Sequence, residues 1–310
     1  MKHFLFTRLA VLTLACTPLL ASAWSQDGHV LIVDLAMDQI DSAQSRELES
    51  IARELETRFE FDRRMVNLRA FGSSNDVAKI ASFPDWVRDE PLGQLFQRFD
   101  ARLPAALEPL ADQDTSSWHY TNQAINEGSL SPSSCQVSPE WDVVRVIPLL
   151  QQAWQQADSK IAQALVLSFL VHMIGDIHQP MHTITRVSEN CRHDLGGNLF
   201  CATRPLAAGR CPQSLHALWD TGVGLFDRYD EYPALKQALD SHMPEQFDPD
   251  MRLDSWLAEG LAQSRLAYSI RENQSPDPTY LEDGRYVSAG RISLAAQRLS
   301  LILEDLDTRL

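Results

Sequence analysis

The sequence lacks several features that define common protein classes. After its first two dozen residues it has no uninterrupted apolar run long enough to cross a membrane. It also has no internal repeat, no low-complexity tract and no Pro- or Gly-rich linker, and alternating strand patterns are scarce. These absences argue against a membrane protein, a solenoid and a tandem of domains. We therefore expect one domain over residues 24–310.

Basic residues are also scarce. The chain has 27 Lys and Arg against 42 Asp and Glu, a formal net charge of −15 at pH 7. Such a surface repels nucleic acid and other polyanions at long range. If the ligand is a phosphate ester, a bound cation must supply the missing positive charge.

The first residues have the organisation of an export signal. Lys2 and Arg8 precede an apolar run over residues 9–20, and Ala21-Ser22-Ala23 has the small-x-small form of a cleavage site. The alternative is an uncleaved membrane anchor, but no stop-transfer pattern follows the run. We predict removal of residues 1–23, which leaves a protein that starts at Trp24, does not enter a membrane, and is secreted or periplasmic.

Four cysteines remain once Cys16 leaves with the signal: Cys135, Cys191, Cys201 and Cys211. An even number in an exported protein predicts two disulfides, with three possible connectivities. At least one bridge should staple the glycine-containing loop around residues 191–211. A zinc site is the rival interpretation, but the paired C-x-x-C spacing is absent.

Hydrophobic periodicity of the helical kind dominates the chain, so the predicted fold is all-α, a single compact helical domain. Pro180 should end the helix that precedes it, since proline disfavours helix at the residue before it. The predicted helices cover residues 28–40, 42–60, 76–82, 139–158, 160–177, 214–220, 232–242, 254–271 and 286–306.

The densest chemical signal is the string from His172 through Asp176 and His178 to His182. His172 and Asp176 are four residues apart and share one helix face, so they can bind one metal ion or bridge two. A single His-x-x-x-Asp pair is usually a surface ion pair. Three histidines and an aspartate within eleven residues are unusual for a hydrophobic core. His178 lies off that face, where a hydrogen bond to a ligand is the favoured role.

Other candidate ligands are weaker when taken singly. His216 and Asp220 repeat the four-residue spacing, although a capped or salt-bridged helix end would be favoured for that pair alone. For Asp85 and His119, an exposed aspartate and a core histidine are the commoner case. A freed amino group and carbonyl oxygen at Trp24 could chelate a metal with His29, although chain termini usually fray. With one bridging aspartate, nine residues suit three zinc ions: Trp24, His29, Asp85, His119, His172, Asp176, His182, His216 and Asp220.

Together these motifs resemble the fungal single-strand-specific zinc nucleases and the plant bifunctional type I nucleases of the phospholipase C/nuclease superfamily. The shared strings are W-x4-H at Trp24, A-S-F-P-D-W-V-R, W-H-Y, H-M-I-G-D-I-H-Q-P-M-H, D-L-G-G-N, L-H-A-L-W-D and the last helix. The sequence differs from the common family pattern at Phe83, where Trp is frequent, and at Asn122, where Asp is common.

The resemblance implies a secreted, monomeric enzyme with three zinc ions that cleaves single-stranded DNA, RNA and 3′-nucleotides to leave 5′-phosphates. Asp85, His119, His172 and Asp176 would hold one ion, Trp24, His29 and Asp176 a second, and His182, His216 and Asp220 the third. Catalysis would involve Asp85 with Arg88 and Asn198 at the phosphate, while Tyr120 and Asn122 would bind the base. An ion pair on the surface is an equal alternative for Arg88.

Two rival functions remain. A zinc phospholipase C would have the same fold and metals with a lipid substrate, but the W-x4-H spacing favours the nuclease. A non-catalytic zinc-binding protein would need neither an open coordination position nor Arg88 beside Asp85.

Overall fold

The computed structural model describes residues 24–59, 75–228, 232–241 and 250–306. The predicted signal, residues 1–23, and the predicted helix ends at residues 60 and 242 lie outside these ranges. The elements in chain order are α1 (Gln26–Met37), α2 (Ser42–Glu56), α3 (Asp76–Ile80), α4 (Phe83–Val87), α5 (Leu92–Arg98), β1 (Gln123–Asn126), α6 (Val143–Gln156), α7 (Lys160–Asp176), β2 (Ile184–Val187), α8 (Leu215–Asp220), α9 (Tyr232–Asp240), α10 (Leu253–Ala262), α11 (Ser264–Ala267) and α12 (Pro278–Glu304). Single 3₁₀ turns connect several of them. Because helices make up nearly all of these elements, the predicted all-α class is confirmed.

Helix α7 lies at the centre of the fold. Every residue from Ile161 to Asp176 is buried, because apolar side chains surround the helix on all sides. It packs against α1, α2, α4, α6 and α12. The Ser159 side chain accepts a hydrogen bond from the Ala162 amide and so caps the start of the helix. His172 and Asp176 are therefore carried by a rigid, fully enclosed element.

Some predicted helix limits are wrong for identifiable local reasons. Helix α6 begins at Val143 rather than residue 139, because the Asp142 side chain caps it through the Arg145 amide. Helix α12 begins at Pro278 rather than residue 286, since Asp277 caps it through the Tyr280 amide. The single helix predicted over residues 254–271 is instead the two helices α10 and α11.

A short parallel pair, β1 and β2, is the structure that periodicity did not predict. Gln123 lies opposite Ile184, and four residues of each strand are paired. Just before the strands, the Thr121 amide donates to the His182 carbonyl at 2.8 Å. The pair therefore joins the segment after His119 to the segment after His182, which are distant in the sequence.

Two disulfides connect the four cysteines: Cys135–Cys191 and Cys201–Cys211. The second closes the loop around residues 191–211 upon itself, so the predicted staple is confirmed. The first attaches the start of that loop to the segment after β1. None of the helices in the described ranges has the length and apolar character needed to cross a bilayer.

Candidate metal centre

His172 and Asp176 lie one turn apart on α7, as their spacing predicts. His172 Nε2 is 3.2 Å from Asp176 Oδ2. The other ring nitrogen, Nδ1, donates to the Ala81 carbonyl at 2.7 Å, which leaves Nε2 as the nitrogen that would bind a metal ion after losing its proton. A backbone carbonyl thus orients the ring for metal binding.

A first group of possible ligands combines Asp85, His119 and His172. His119 Nδ1 lies 3.0 Å from His172 Nε2 and 3.0 Å from Asp176 Oδ2. Asp85 Oδ1 lies 3.8 Å from His119 Nδ1 and 3.9 Å from His172 Nε2. Helix α4 supplies Asp85, and the 3₁₀ turn Ser116–His119 supplies His119.

A second group combines His172 with Asp176 and with His29 from α1. His29 Nε2 is 3.4 Å from Asp176 Oδ1, so the two oxygens of that carboxylate face different groups. The His29 and His172 rings stack with their centroids 3.8 Å apart. This approach requires glycine at position 175, because a β-carbon there would lie 2.7 Å from His29 Nδ1.

Trp24 lies beside the second group. Its indole is fully buried and donates to the Gly175 carbonyl at 3.0 Å, next to Asp176. The following amide, of Ser25, donates to the Asp220 carbonyl at 2.8 Å. The predicted start of the mature chain is therefore fixed between two of the candidate ligands rather than frayed.

The third group consists of His182, His216 and Asp220. His182 Nε2 and His216 Nε2 are 3.1 Å apart, and each lies 3.6 Å from Asp220 Oδ1. His182 Nδ1 donates to the His119 carbonyl at 2.5 Å, and His216 Nδ1 donates to the Gly196 carbonyl at 2.8 Å. As with His172, backbone carbonyls leave both Nε2 atoms available to a metal ion.

These separations fit metal coordination. Ligands at about 2.1 Å from a tetrahedral zinc lie roughly 3.4 Å from one another. The site also contains buried polar atoms without hydrogen-bond partners: both ring nitrogens of His29, His119 Nε2 and Asp176 Oδ1. Buried polar atoms are normally paired, so their presence here fits ions bound among these side chains.

Charges within the cluster shift the pKa values of its members. Burial would raise the pKa of Asp176, but His172 and His182 hold it well below its usual range. Burial would lower the pKa of His182, but Asp176 and Asp220 raise it to about 9. Burial lowers the pKa of His29 to about 4, with a further contribution from His172. The centre therefore contains a carboxylate that stays ionised near neutral pH.

One family comparison agrees with this geometry. The family model described as S1/P1 Nuclease matches residues 24–307. The chain belongs to the S1/P1 nuclease family. It is thus a hydrolytic nuclease that acts on nucleic acids, which is what the motif resemblance predicts. A comparison with curated proteins finds no match.

One cleft of this S1/P1 nuclease opens onto the candidate metal centre. His119, His182 and His216 form part of its wall, so groups one and three face the same space. All four residues that the sequence assigns to phosphate or base binding also line it: Arg88, Tyr120, Asn122 and Asn198. Sequence reasoning did not anticipate the remaining wall, formed by Ser116, Met181, His193, Leu195 and Gly196.

Three of the four cleft residues are held by specific contacts, and the fourth, Tyr120, is partly exposed. Arg88 Nη2 lies 2.7 Å from Asp85 Oδ1, so the ion pair that was the alternative interpretation exists, and it lies at the site. One amide N–H of Asn198 donates to the Leu195 carbonyl at 2.9 Å. Asn122 Nδ2 donates to the Val137 carbonyl at 2.9 Å. The Tyr120 side chain is 36% exposed.

His178 does not hydrogen-bond a metal-ligand candidate, so that part of the sequence interpretation is wrong. Its Nδ1 donates to the Ile174 carbonyl at 2.7 Å, and its Nε2 accepts from Arg298 Nη1 at 2.9 Å. Arg291 donates to the His178 carbonyl at 2.9 Å. Glu259 pairs with both arginines at 2.6 Å. His178 thus attaches the turn after Asp176 to the last helix.

Sequence reasoning also missed the backbone groups that orient the ligands. The Gly196 carbonyl, which accepts a hydrogen bond from His216 Nδ1, belongs to a loop held by Asp194. The Asp194 carboxylate accepts from Thr185, from the Gly197 amide and from the Tyr268 hydroxyl. The D-L-G-G-N string was the available signal, because Gly196 has a φ of 59° and a β-carbon there would lie 2.6 Å from the Met181 carbonyl.

Proposed function

We propose that this nuclease is an exported enzyme that uses three zinc ions to hydrolyse single-stranded DNA and RNA to 5′-phosphate products, and that it also acts on 3′-nucleotides. The observation that carries the proposal is the convergence of three His and Asp groups, each with ligand atoms within 4.8 Å of one another. The acidic chain needs bound cations to attract a polyanion, and such a cluster would provide them.

The proposed ligand sets follow from the three groups. Zinc is favoured over harder cations because each of the three groups offers two imidazole nitrogens and one carboxylate. One ion would be held by Asp85, His119, His172 and Asp176, a second by the Trp24 amino nitrogen and carbonyl oxygen with His29 and Asp176, and a third by His182, His216 and Asp220. Asp176 would bridge the first two, which agrees with its two oxygens facing different groups.

Export and removal of the signal would complete the second set of metal ligands. The two disulfides support an oxidising destination. Cleavage after Ala23 would free the Trp24 amino group while its indole remains bound to the Gly175 carbonyl. We propose that one monomer over residues 24–310 then forms the functional unit.

When bound, divalent ions supply positive charge to the scissile phosphate and lower the pKa of water near them. The side chains position the phosphate. Arg88 is braced by Asp85 at the cleft wall and would donate to a phosphate oxygen. Asn198 has a second amide N–H beyond the one given to Leu195, which would serve the same phosphate. Asp85 would also orient the attacking water.

The preference for single strands is attributed to Tyr120 and Asn122. Tyr120 exposes about a third of its surface in the cleft, where a base would stack on its ring. Asn122 uses an N–H for the Val137 carbonyl, so its amide oxygen would accept from a base. In a duplex both faces of the base are already stacked and would not reach either residue.

The test compares Asp85→Asn with Asp89→Asn, an exposed carboxylate four residues further on. Single-stranded DNA, RNA, adenosine 3′-monophosphate and phosphatidylcholine are assayed side by side, with zinc content and helical circular dichroism measured on each protein. We expect Asp85→Asn to lose more than about 100-fold of the nucleic-acid activity with its helical signal intact, and Asp89→Asn to match the wild type. Phosphatidylcholine cleavage without nucleic-acid cleavage would favour the phospholipase instead, and zinc binding without any hydrolysis would favour the non-catalytic protein.

A further inference from the structure

A second cleft adjoins the one at the metal centre. Its wall includes Arg186, Arg192 and Leu199, and it shares His193 with the first cleft. The Nδ1 atom of His193 is buried and has no hydrogen-bond partner among the described residues. The two clefts therefore meet at the His193 side chain. A ligand longer than one nucleotide could extend from the first into the second.

Two arginines line this cleft together with the carboxylates of Glu127 and Asp194. The Arg186 guanidinium lies 5.0 Å from the Phe200 ring centre and 5.6 Å from that of Tyr268, which holds it in place. Its nearest carboxylate oxygens, from Glu127, Asp194 and Glu272, are 3.6 to 3.8 Å away, beyond good hydrogen-bond distance. Its side chain therefore retains donors for a phosphate.

Arg192 stands on a turn with a fixed backbone. The Ser188 amide donates to the Arg192 carbonyl at 3.0 Å, and the Arg192 amide donates to the Ser188 hydroxyl at 3.3 Å. The preceding residue, Cys191, is bonded to Cys135. The exposed side chain of Arg192 thus projects from a backbone that the disulfide restrains. This restraint lowers the conformational entropy that the loop loses when a ligand binds.

Exposed apolar side chains accompany these charges. Leu195 in the first cleft is 48% exposed, and Leu199 in the second is 63% exposed. With Tyr120 they account for three of the six large hydrophobic side chains that are exposed in the described part of the chain. A row of apolar surfaces beside positive groups is what successive bases and phosphates of a single strand require.

We propose that the Arg186–Arg192 cleft is a subsite for the nucleotide next to the one at the metal centre. Arg192 and Arg186 bind its phosphate, and Leu199 supports its base. The proposal rests on the proposed nuclease function and makes the enzyme prefer oligonucleotides to single 3′-nucleotides.

The experiment measures kcat/KM for a single-stranded DNA dodecamer and for adenosine 3′-monophosphate in the wild type and in Arg192→Ala. Arg210→Ala, an exposed arginine of the same loop that lines neither cleft, is the control. We expect the ratio of dodecamer to mononucleotide activity to fall roughly tenfold in Arg192→Ala, through KM. The ratio should stay at the wild-type value in Arg210→Ala. Equal losses on both substrates, or an unchanged ratio in Arg192→Ala, would overturn the subsite.

A binding measurement separates this proposal from the function on which it rests. Fluorescence anisotropy of the labelled dodecamer is followed against salt concentration in the Asp85→Asn background, with and without Arg192→Ala, so that the DNA is not cleaved during the measurement. Loss of the Arg192 phosphate contact should reduce the slope of log K against log salt by about 0.7. If the wild type cleaves neither substrate but binding in the Asp85→Asn background depends on Arg192 in this way, the proposed function fails and the subsite stands. Identical slopes in both proteins would contradict the subsite.

Discussion

The Trp24 indole N–H donates to the Gly175 carbonyl at 3.0 Å, one residue before Asp176. This contact joins the first described residue to the most enclosed part of the central helix. It holds the Trp24 side chain against the turn that carries Asp176. A peptide bond that is cut at this point by signal removal would leave its new amino group on a residue whose side chain is bound next to Asp176, the carboxylate that we propose as the bridge.

The first prediction concerns that amino group. A protein that retains two extra residues before Trp24 has an amide there, which cannot bind a metal as an amine does. We expect it to hold one zinc fewer and to lose more than about 100-fold in activity. The same protein treated with a protease that removes the extension should recover both. Full zinc content and activity in the extended protein would show that the amino group is not a ligand.

The second prediction concerns the buried pairing of the last helix with the turn after Asp176. Arg298 is 2% exposed and contacts both Glu259 and His178. Replacing it with Met leaves buried partners unpaired, so Arg298→Met should lower the free energy of unfolding by about 3 kcal/mol. The matched control is Arg265→Met at an exposed position. Urea denaturation measures both, and a loss of less than about 1 kcal/mol for Arg298→Met would contradict this role.

The third prediction concerns pH. In the metal-free protein the pKa of His182 is raised to about 9, above its ordinary value of 6.5. Its proton therefore stabilises the metal-free fold below pH 6.5, and this contribution disappears as the pH rises through 9. Metal binding needs the neutral ring, so between these values zinc uptake should release a proton and become tighter as the pH rises.

Calorimetric titration of zinc at pH 7.5 in two buffers of different ionisation enthalpy tests this directly. The apparent enthalpy should depend on the buffer in the wild type and less so in His182→Gln, which cannot take up the proton. A buffer dependence that is the same in both proteins would show that the released proton does not come from His182.

The fourth prediction concerns the disulfides. Cys135–Cys191 closes a segment with a sequence separation of 56, and Cys201–Cys211 one of 10. Each bridge lowers the chain entropy of the unfolded state. This effect should stabilise the fold by about 4 kcal/mol for the longer segment and by about 3 kcal/mol for the shorter one. Replacing both cysteines of a pair with serine should therefore cost more stability at 135 and 191 than at 201 and 211. The reverse order in thermal unfolding would mean that contacts in the loop outweigh chain entropy.

Much of the site could be predicted because its signals are local. The four-residue spacing places His172 with Asp176, and His216 with Asp220, on any helix that forms there. Helical periodicity in a long apolar segment also predicted α7 within one residue of its observed ends. Neither signal depends on how the rest of the chain folds.

Other features depended on contacts between distant segments. Hydrophobic periodicity did not predict the start of α12, because Tyr280 and Gly284 are buried among mostly exposed neighbours. The capping role of Asp277 was also not predicted. The β1–β2 pair is set by the approach of residues 123 and 184, which no local pattern encodes. The partner of His178 was missed because Arg298 is 120 residues away and charged residues are rarely fully buried.

Elemental analysis of the protein that begins at Trp24, after dialysis against metal-free buffer, gives the number of tightly bound ions. We expect three zinc ions per chain, falling to two in His216→Ala with the helical circular dichroism unchanged. A content of no zinc, or a content that is unaffected by His216→Ala, would contradict the proposal that these converging side chains form a three-ion centre.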